Sequence, residues 1–408
     1  MSASPPVDPG ATPTAARALA PDLARGFMLL LIALANVHLW TYDHALGPRG
    51  YPSDLTVADQ AVTLGQMLLV DGRAYPLFGF LFGYGIVQLA DRRRTVGMPA
   101  EAVTGLVRRR GWWMVLIGAV HGLLLWSGDI VGAYGVIAVA LAGVLVRGSD
   151  ATLIGTAVVG LFLASLFYSG SGLTPPGPPD QSLLPSMAET QPLQAAGVRA
   201  AEWFTVGFVL QALSVFAAVA IGAWAARRRL LDEPERHRRL LVPVAAGGLV
   251  VAVAGGLPFA LMAAQLWTSP STGALVLAGF LHGLSGYAGG LGYAALFGLL
   301  AARLGRRTGP VTSALQACGQ RSLSCYLAQS VAFAALLPAW TVGVGAGAHV
   351  WQTALYGFGT WLVILLVAAA SARAGFRGPA ELLLRRLTYG PRRPSPPVPT
   401  PEVRDSPR

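Results

Sequence analysis

The sequence predicts an all-α, polytopic membrane helix bundle of about ten transmembrane helices, with both termini cytoplasmic. Three observations predict it. Hydrophobic residues make up 54% of the 408-residue chain and charged residues only 12%, far from the balance of a soluble domain. The apolar residues gather into runs near the length of roughly 20 residues that a helix needs to cross a bilayer core of about 30 Å. All thirty basic residues are arginines, and they fall on alternate sides of those runs.

The runs lie at about 20–42, 74–90, 111–127, 130–146, 151–169, 202–226, 240–265, 273–302, 311–340 and 350–372. The second, third and fourth are slightly short and require tilted neighbours or local thinning. Arg92–Arg94 and Arg108–Arg110 separate runs two and three, and Arg147 follows run four. Arg227–Arg229, Arg236, Arg238 and Arg239 separate runs six and seven. Arg303, Arg306 and Arg307 follow run eight, and Arg373, Arg377, Arg385 and Arg386 follow run ten. Only Arg49, Arg73 and Arg199 fall on the other side, with Asp43, Asp54, Asp59, Asp71, Asp129, Asp180, Glu189 and Glu202. Basic loops stay inside, so the net charge of +11 is topological, and nucleic acid is not an expected partner. The partner is the lipid bilayer, and the expected location is a bacterial cytoplasmic (inner) membrane.

Little chain remains for soluble domains. The tails 1–16 and 391–408 are rich in Pro, Ser and Thr and predict disorder. A Pro/Ser-rich external loop at 171–201 divides a transmembrane half at 17–170 from one at 202–390. No basic region, apolar run and cleavage site mark the start as a signal peptide. The two cysteines, Cys318 and Cys325, are seven residues apart; on one straight helix they are about 10 Å apart, too far to pair. Pairs such as Gly79 and Gly83, or Gly118 and Gly122, have the spacing of close helix crossings.

Ionisable residues inside apolar runs carry the functional signal, because leaving water is costly. His121 and His282 each read first as interhelical hydrogen-bond partners. His38 and His44 stand at the outer end of the first run beside Asn36. They read as interfacial histidines, or as a general base with Asn36 donating to a developing oxyanion. Asp22 and Arg25 are spaced for an ion pair on one helix face. Arg321 is the single arginine within a run, near Tyr326 and Gln329, and needs a carboxylate, carbonyls or a phosphate. Asp129 is its most natural acidic candidate. There is no H-E-x-x-H, Walker loop or G-x-S-x-G, so no metal site and no tightly bound cofactor are expected.

Several stretches together resemble the YeiB-type family, a bacterial multi-pass membrane domain of unknown function. They are Asp22-Leu23-Ala24-Arg25-Gly26-Phe27 with Asn36, and Phe78-Gly79-Phe80-Leu81-Phe82-Gly83-Tyr84-Gly85. His121-Gly122-Leu123-Leu124-Leu125-Trp126 follows, with Gly128-Asp129-Ile130. The last are Gly319-Gln320-Arg321-Ser322-Leu323 through Gln329, and Gly378-Pro379-Ala380-Glu381. The first third also resembles the transmembrane acyltransferase clan that includes heparan-α-glucosaminide N-acetyltransferase. The matching order is Arg25-Gly26, Asn36, His44 and Leu55-Thr56-Val57-Ala58-Asp59. That resemblance implies acyl transfer from cytoplasmic acyl-CoA, as co-substrate, to a carbohydrate, lipid or metabolite acceptor near the outer face. His44 and Asn36 are the implied catalytic residues. His38, His121, Asp129, Arg321 and Gln329 form a second tier, and Arg25, Arg108, Arg109 and Arg110 are the cations for the coenzyme's phosphates. The competing class is a transporter or a small-molecule-binding membrane protein without that chemistry.

Overall fold

A computed structural model describes residues 18–173, 182–305 and 309–390. Both tails, the middle of the Pro/Ser-rich connection with Asp180, and Arg306 and Arg307 lie outside the described residues. The chain is helical throughout, with two isolated bridges and no strand among the described residues. In order, the helices are α1 (Leu19–Val37), α2 (Val57–Leu69), α3 (Ala74–Thr95), α4 (Ala100–Leu124), α5 (Ile130–Arg147), α6 (Asp150–Gly170) and α7 (Pro192–Glu202). They continue as α8 (Gln211–Arg227), α9 (Arg238–Ala263), α10 (Thr272–Leu304), α11 (Pro310–Gly319), α12 (Ser322–Leu336), α13 (Val350–Arg373) and α14 (Pro379–Tyr389).

Seven helices among the described residues are long and apolar enough to cross a membrane: α1 extended to Trp40, α5, α6, the Pro192–Arg227 stretch, α9, α10 and α13. The molecule is a polytopic membrane helix bundle. α3 and α4, with 22 and 25 residues, have the length, but Arg92–Arg94 and Arg108–Arg110 lie inside them rather than between them, which lowers their apolarity. α1 is the central helix, with 72% of its apolar window buried, against 22% for the peripheral α9.

The predicted run 311–340 is not one helix. It breaks at Gln320–Arg321 into α11 and α12. Two contacts explain the break. A Cβ at Gly319 would stand 1.9 Å from the carbonyl oxygen of Asp22, so α11 ends backbone to backbone against α1. The first turn of α12 then needs partners for its free N–H groups. Glu381 of α14 supplies them, accepting from Leu323 N at 2.8 Å, Ser324 N at 3.2 Å and Ser324 Oγ at 2.5 Å. A carboxylate there also matches the positive end of the helix dipole. The cysteines therefore sit on separate helices, both free and buried, with Cys325 Sγ 3.8 Å from the Cys318 carbonyl.

A second difference lies in the predicted loop 171–201. The chain makes a 3-10 turn at Pro185–Met187 and begins α7 at Pro192, ten residues before the expected span. Pro at the first helical position loses no hydrogen bond. α7 runs through a π-helical stretch, Trp203–Leu210, into α8. α2 and α14 are short amphipathic additions; α2 starts on a capping box in which Thr56 and Asp59 exchange hydrogen bonds.

The two halves of the sequence share one core. α8 packs on α3 and α6, and α10 packs on α1, α3 and α6. The α3–α8 crossing depends on glycine. A Cβ at Gly83 would stand 1.9 Å from the Val219 carbonyl oxygen, and one at Gly222 would stand 2.0 Å from that of Phe80. Small residues let backbones approach this closely inside a membrane. Gly83→Leu is therefore expected to abolish the monodisperse folded species in detergent chromatography. A normal elution profile would show that α3 and α8 do not cross here.

Candidate functional site

α4 ends and α5 begins inside the molecule. Trp126, Ser127 and Asp129 of the connecting turn are all buried. Asp129 is the N-cap of α5, and its carboxylate accepts from Val131 N at 3.1 Å and Gly132 N at 2.6 Å. The same carboxylate holds His121, whose Nδ1 lies 2.8 Å from Asp129 Oδ1. An ionised carboxylate only accepts, so Nδ1 carries a proton, and in the neutral ring Nε2 is the atom with the lone pair. Nε2 is buried and has no hydrogen-bond partner in the structure.

The walls of this site come from three directions. The Tyr326 ring of α12 lies 5.2 Å from His121, and its hydroxyl accepts from Ile130 N at 3.4 Å. The π-helical stretch covers the turn. A Cβ at Gly122 would meet Trp203 at 2.2 Å, and one at Gly207 would meet the Ser127 carbonyl at 2.1 Å. π-helical insertions recur at functional sites. Trp126 stacks on Trp40 at 4.6 Å. The Ser127 hydroxyl and the indole N–H groups of Trp126 and Trp203 are also without partners, and buried polar groups in that state call for a ligand or water.

A second polar cluster lies where α1 ends. Arg49 Nε donates to Asp71 at 3.1 Å. His282 Nε2 donates to the same carboxylate at 3.2 Å. Arg73 Nη1 lies against the same ring, 3.1 Å from Nδ1 and 3.2 Å from Nε2. Arg73 also donates to the carbonyls of Asp71 at 2.6 Å and Ala252 at 2.5 Å. His38 stacks on Tyr51 with ring centroids 4.0 Å apart, within the fields of Arg49 and Asp71 and in weak contact with the Arg49 backbone, and neither of its ring nitrogens meets a partner in full hydrogen-bonding geometry.

The residues singled out in the sequence are thus divided. Asn36 is buried, and its Oδ1 accepts from Tyr75 at 2.5 Å. His44 lies in the turn after α1 with Nε2 3.5 Å from Thr41 Oγ1. Among the described residues no carboxylate hydrogen-bonds its ring. Burial holds its pKa below the ordinary imidazole value, against the opposing pull of the Tyr42 backbone, Asp54 and Asp43. Gln329 donates to the Leu29 carbonyl at 2.9 Å. Arg321 is not within a helix and does not meet Asp129. It stands at the α11–α12 break, donating to the carbonyls of Ala317, at 3.0 Å, and Phe376.

Two of the four predicted phosphate-binding arginines have partners of their own. Arg25 pairs with Asp22 at 3.3 Å and donates to the Leu81 carbonyl, and Arg109 donates to the Leu387 carbonyl. A cleft of about 430 Å³ is instead lined by Arg94, Arg147 and Arg227. Among the described residues no cluster of His, Cys, Asp and Glu is placed to hold a metal. Sequence reading missed the Asp71–Arg73–His282 chain. Its signal was present: Arg49, Arg73 and Arg199 are the three exceptions to the arginine pattern, and the structure places each in polar contacts in the interior.

Comparison with known proteins covers parts of the chain. Residues 225–391 match the family described as "Protein of unknown function (DUF418)". The chain is 23% identical over 258 residues to "Uncharacterized protein YxaH" of Bacillus subtilis (strain 168), covering 57% of this chain and 63% of that protein. It is 32% identical over 118 residues to "Uncharacterized protein YeiB" of Escherichia coli (strain K12), covering 28% of each. The chain spans less than two thirds of either relative's length.

Proposed function

We propose that this membrane protein transfers an acyl group, with His121 as general base. The observation that carries the reading is the Asp129–His121 pair with an unpartnered Nε2. Nε2 takes the proton of an acceptor hydroxyl or amine as the acceptor's heteroatom attacks the carbonyl carbon of an acyl thioester. The carbon–sulfur bond breaks, and the departing thiolate takes up the proton. The unpartnered N–H groups of Trp126 and Trp203 stand near enough to the turn to donate to the developing oxyanion. In this reading His121 replaces His44, whose ring no carboxylate holds among the described residues, as the favoured base.

The co-substrate is acyl-CoA, drawn from the cytoplasm by the arginine-rich end of the bundle, where the Arg94, Arg147 and Arg227 cleft opens. The acceptor is a carbohydrate, lipid or metabolite reaching the site from the outer side, in a bacterial cytoplasmic membrane. Purified protein supplied with radiolabelled acetyl-CoA and total membrane extract tests the activity. Absence of any labelled product, and of coenzyme release, counts against it. Binding without acyl transfer is the second reading. It is favoured by the buried Arg49–Asp71–Arg73–His282 chain, which acyl transfer at His121 does not use.

The orientation has its own test. Thr268 lies in the exposed connection between α9 and α10, and Glu233 lies in the connection between α8 and α9. In intact cells Thr268→Cys is expected to react with an impermeant maleimide and Glu233→Cys to react only after lysis. The native Cys318 and Cys325 are buried and contribute little background. The reverse labelling pattern would place the termini outside.

A further inference from the structure

We propose that Arg49 and His38 form a binding site for an oxyanion, a carboxylate or phosphate group, presented at the end of the bundle where α1 terminates. The first support is charge. The hydrogen-bonded chain Arg73–His282–Asp71–Arg49 holds two guanidinium groups and one carboxylate. Among the described residues no second carboxylate bonds to it, so with neutral histidines it carries one positive charge in excess. A desolvated cation without a counter-charge is costly, and an incoming anion supplies the missing one.

The second support is the unused donors and their burial. His38 is 1% exposed, yet neither ring nitrogen meets a partner in full hydrogen-bonding geometry, the Arg49 backbone offering only a weak contact. Arg73 is equally buried, and its Nε is unpartnered. Unsatisfied polar atoms at this burial are rare in folded proteins and point to an absent partner. Any partner of His38 must also suit the field of Arg49, which excludes a cation.

The third support is access and build. The Arg49 side chain is 13% exposed, whereas that of Asp71 is fully enclosed, so Arg49 is the mouth of the cluster. Arg49 adopts a left-handed backbone, φ 64°, within the Pro48–Gly50 turn, a conformation that side chains other than glycine seldom take. Its backbone N–H is tied to the Ser171 carbonyl at 3.1 Å, and its guanidinium lies over Tyr168, 5.6 Å from the ring centroid. Gly256 leaves room for Arg73, since a Cβ there would stand 2.2 Å from its Nη2. An arginine fork suits a planar carboxylate or a phosphate face, and a protonated ring nitrogen of His38 donates beside it.

The experiment uses the full chain purified in uncharged detergent. Its unfolding temperature is followed while sodium phosphate or sodium acetate replaces sodium chloride at constant ionic strength. The wild-type protein is expected to show a saturable rise with at least one oxyanion. His38→Phe keeps the stack on Tyr51 and removes the two ring nitrogens. It is expected to unfold in chloride at or above the wild-type temperature, with its oxyanion midpoint weakened at least tenfold. Arg49→Gln is expected to weaken the midpoint by the same order. In nanodiscs, phosphatidylglycerol that suppresses the phosphate response, where phosphatidylcholine does not, assigns the oxyanion to a lipid headgroup; an unchanged response assigns it to a soluble ligand, and both uphold the site. No saturable response to phosphate, acetate or phosphatidylglycerol would overturn the proposal. So would an identical midpoint in wild-type protein and His38→Phe.

Discussion

His121→Ala is expected to lower acyl-transfer turnover by about 10²-fold or more, the usual scale for losing a positioned base, at unchanged membrane level. The reason for separating activity from folding lies in Asp129. Its carboxylate also caps α5 through Val131 N and Gly132 N, and those bonds survive the loss of the imidazole. Asp129→Asn tests the other half of the pair. An amide oxygen still accepts from Gly132 N, but the NH₂ group that then faces Nδ1 and Val131 N removes the fixed tautomer that leaves Nε2 free to accept. Its turnover is expected to fall with little change in unfolding temperature. The comparison that decides the site is His44→Ala, for which a small effect is expected, because no carboxylate among the described residues bonds its ring. Full activity in His121→Ala with loss in His44→Ala would return the chemistry to the turn after α1 and sink the reading given above.

The bundle was legible in the sequence because two independent signals agree: apolar runs near bilayer length, and arginines sorted by side. The places where the reading failed share a cause, which is that a distant residue supplies what the local sequence lacks. Nothing near Gln320 predicts a break, because the carboxylate that receives the first turn of α12 is Glu381, some sixty residues later. α7 was hidden by the prolines around it, although Pro192 opens that helix instead of preventing it. Arg321 was read as a buried cation seeking Asp129, since apolarity continues on both sides of it; the turn at Gln320 instead directs it to the Phe376 carbonyl. At the site, the His121 and Asp129 stretch was visible as a motif, but eight residues of spacing do not reveal that a turn folds one onto the other. The sharpest unread signal was the short list of misplaced arginines. A charge that breaks the topological rule needs an interior partner, and Arg49 and Arg73 meet around Asp71.

Asp71→Ala is expected to be the most damaging single polar substitution, costing about 3–5 kcal/mol, the scale for removing one partner of a buried ion pair. Both remaining guanidiniums pay part of that cost. Arg49 loses the carboxylate whose two oxygens share its Nε–H, at 3.1 and 3.3 Å. His282 loses the acceptor that fixes its tautomer. The geometry leaves little room for repair, since Gly72 beside it has φ 72° and a Cβ there would stand 2.8 Å from His282 Nε2. Asp54→Ala is the control, because Asp54 is exposed and its loss is expected to change the unfolding temperature hardly at all. The double variant Arg49→Gln with Asp71→Asn separates ion pairing from packing. It removes one charge of each sign, keeps hydrogen-bonding groups of similar size, and is expected to recover a large part of the lost stability. The measurement is thermal unfolding of each variant in the same detergent. If Asp71→Ala unfolds at the wild-type temperature, the carboxylate does not carry the charge balance of the cluster, and the Asp71 and Ala252 carbonyls suffice to hold Arg73.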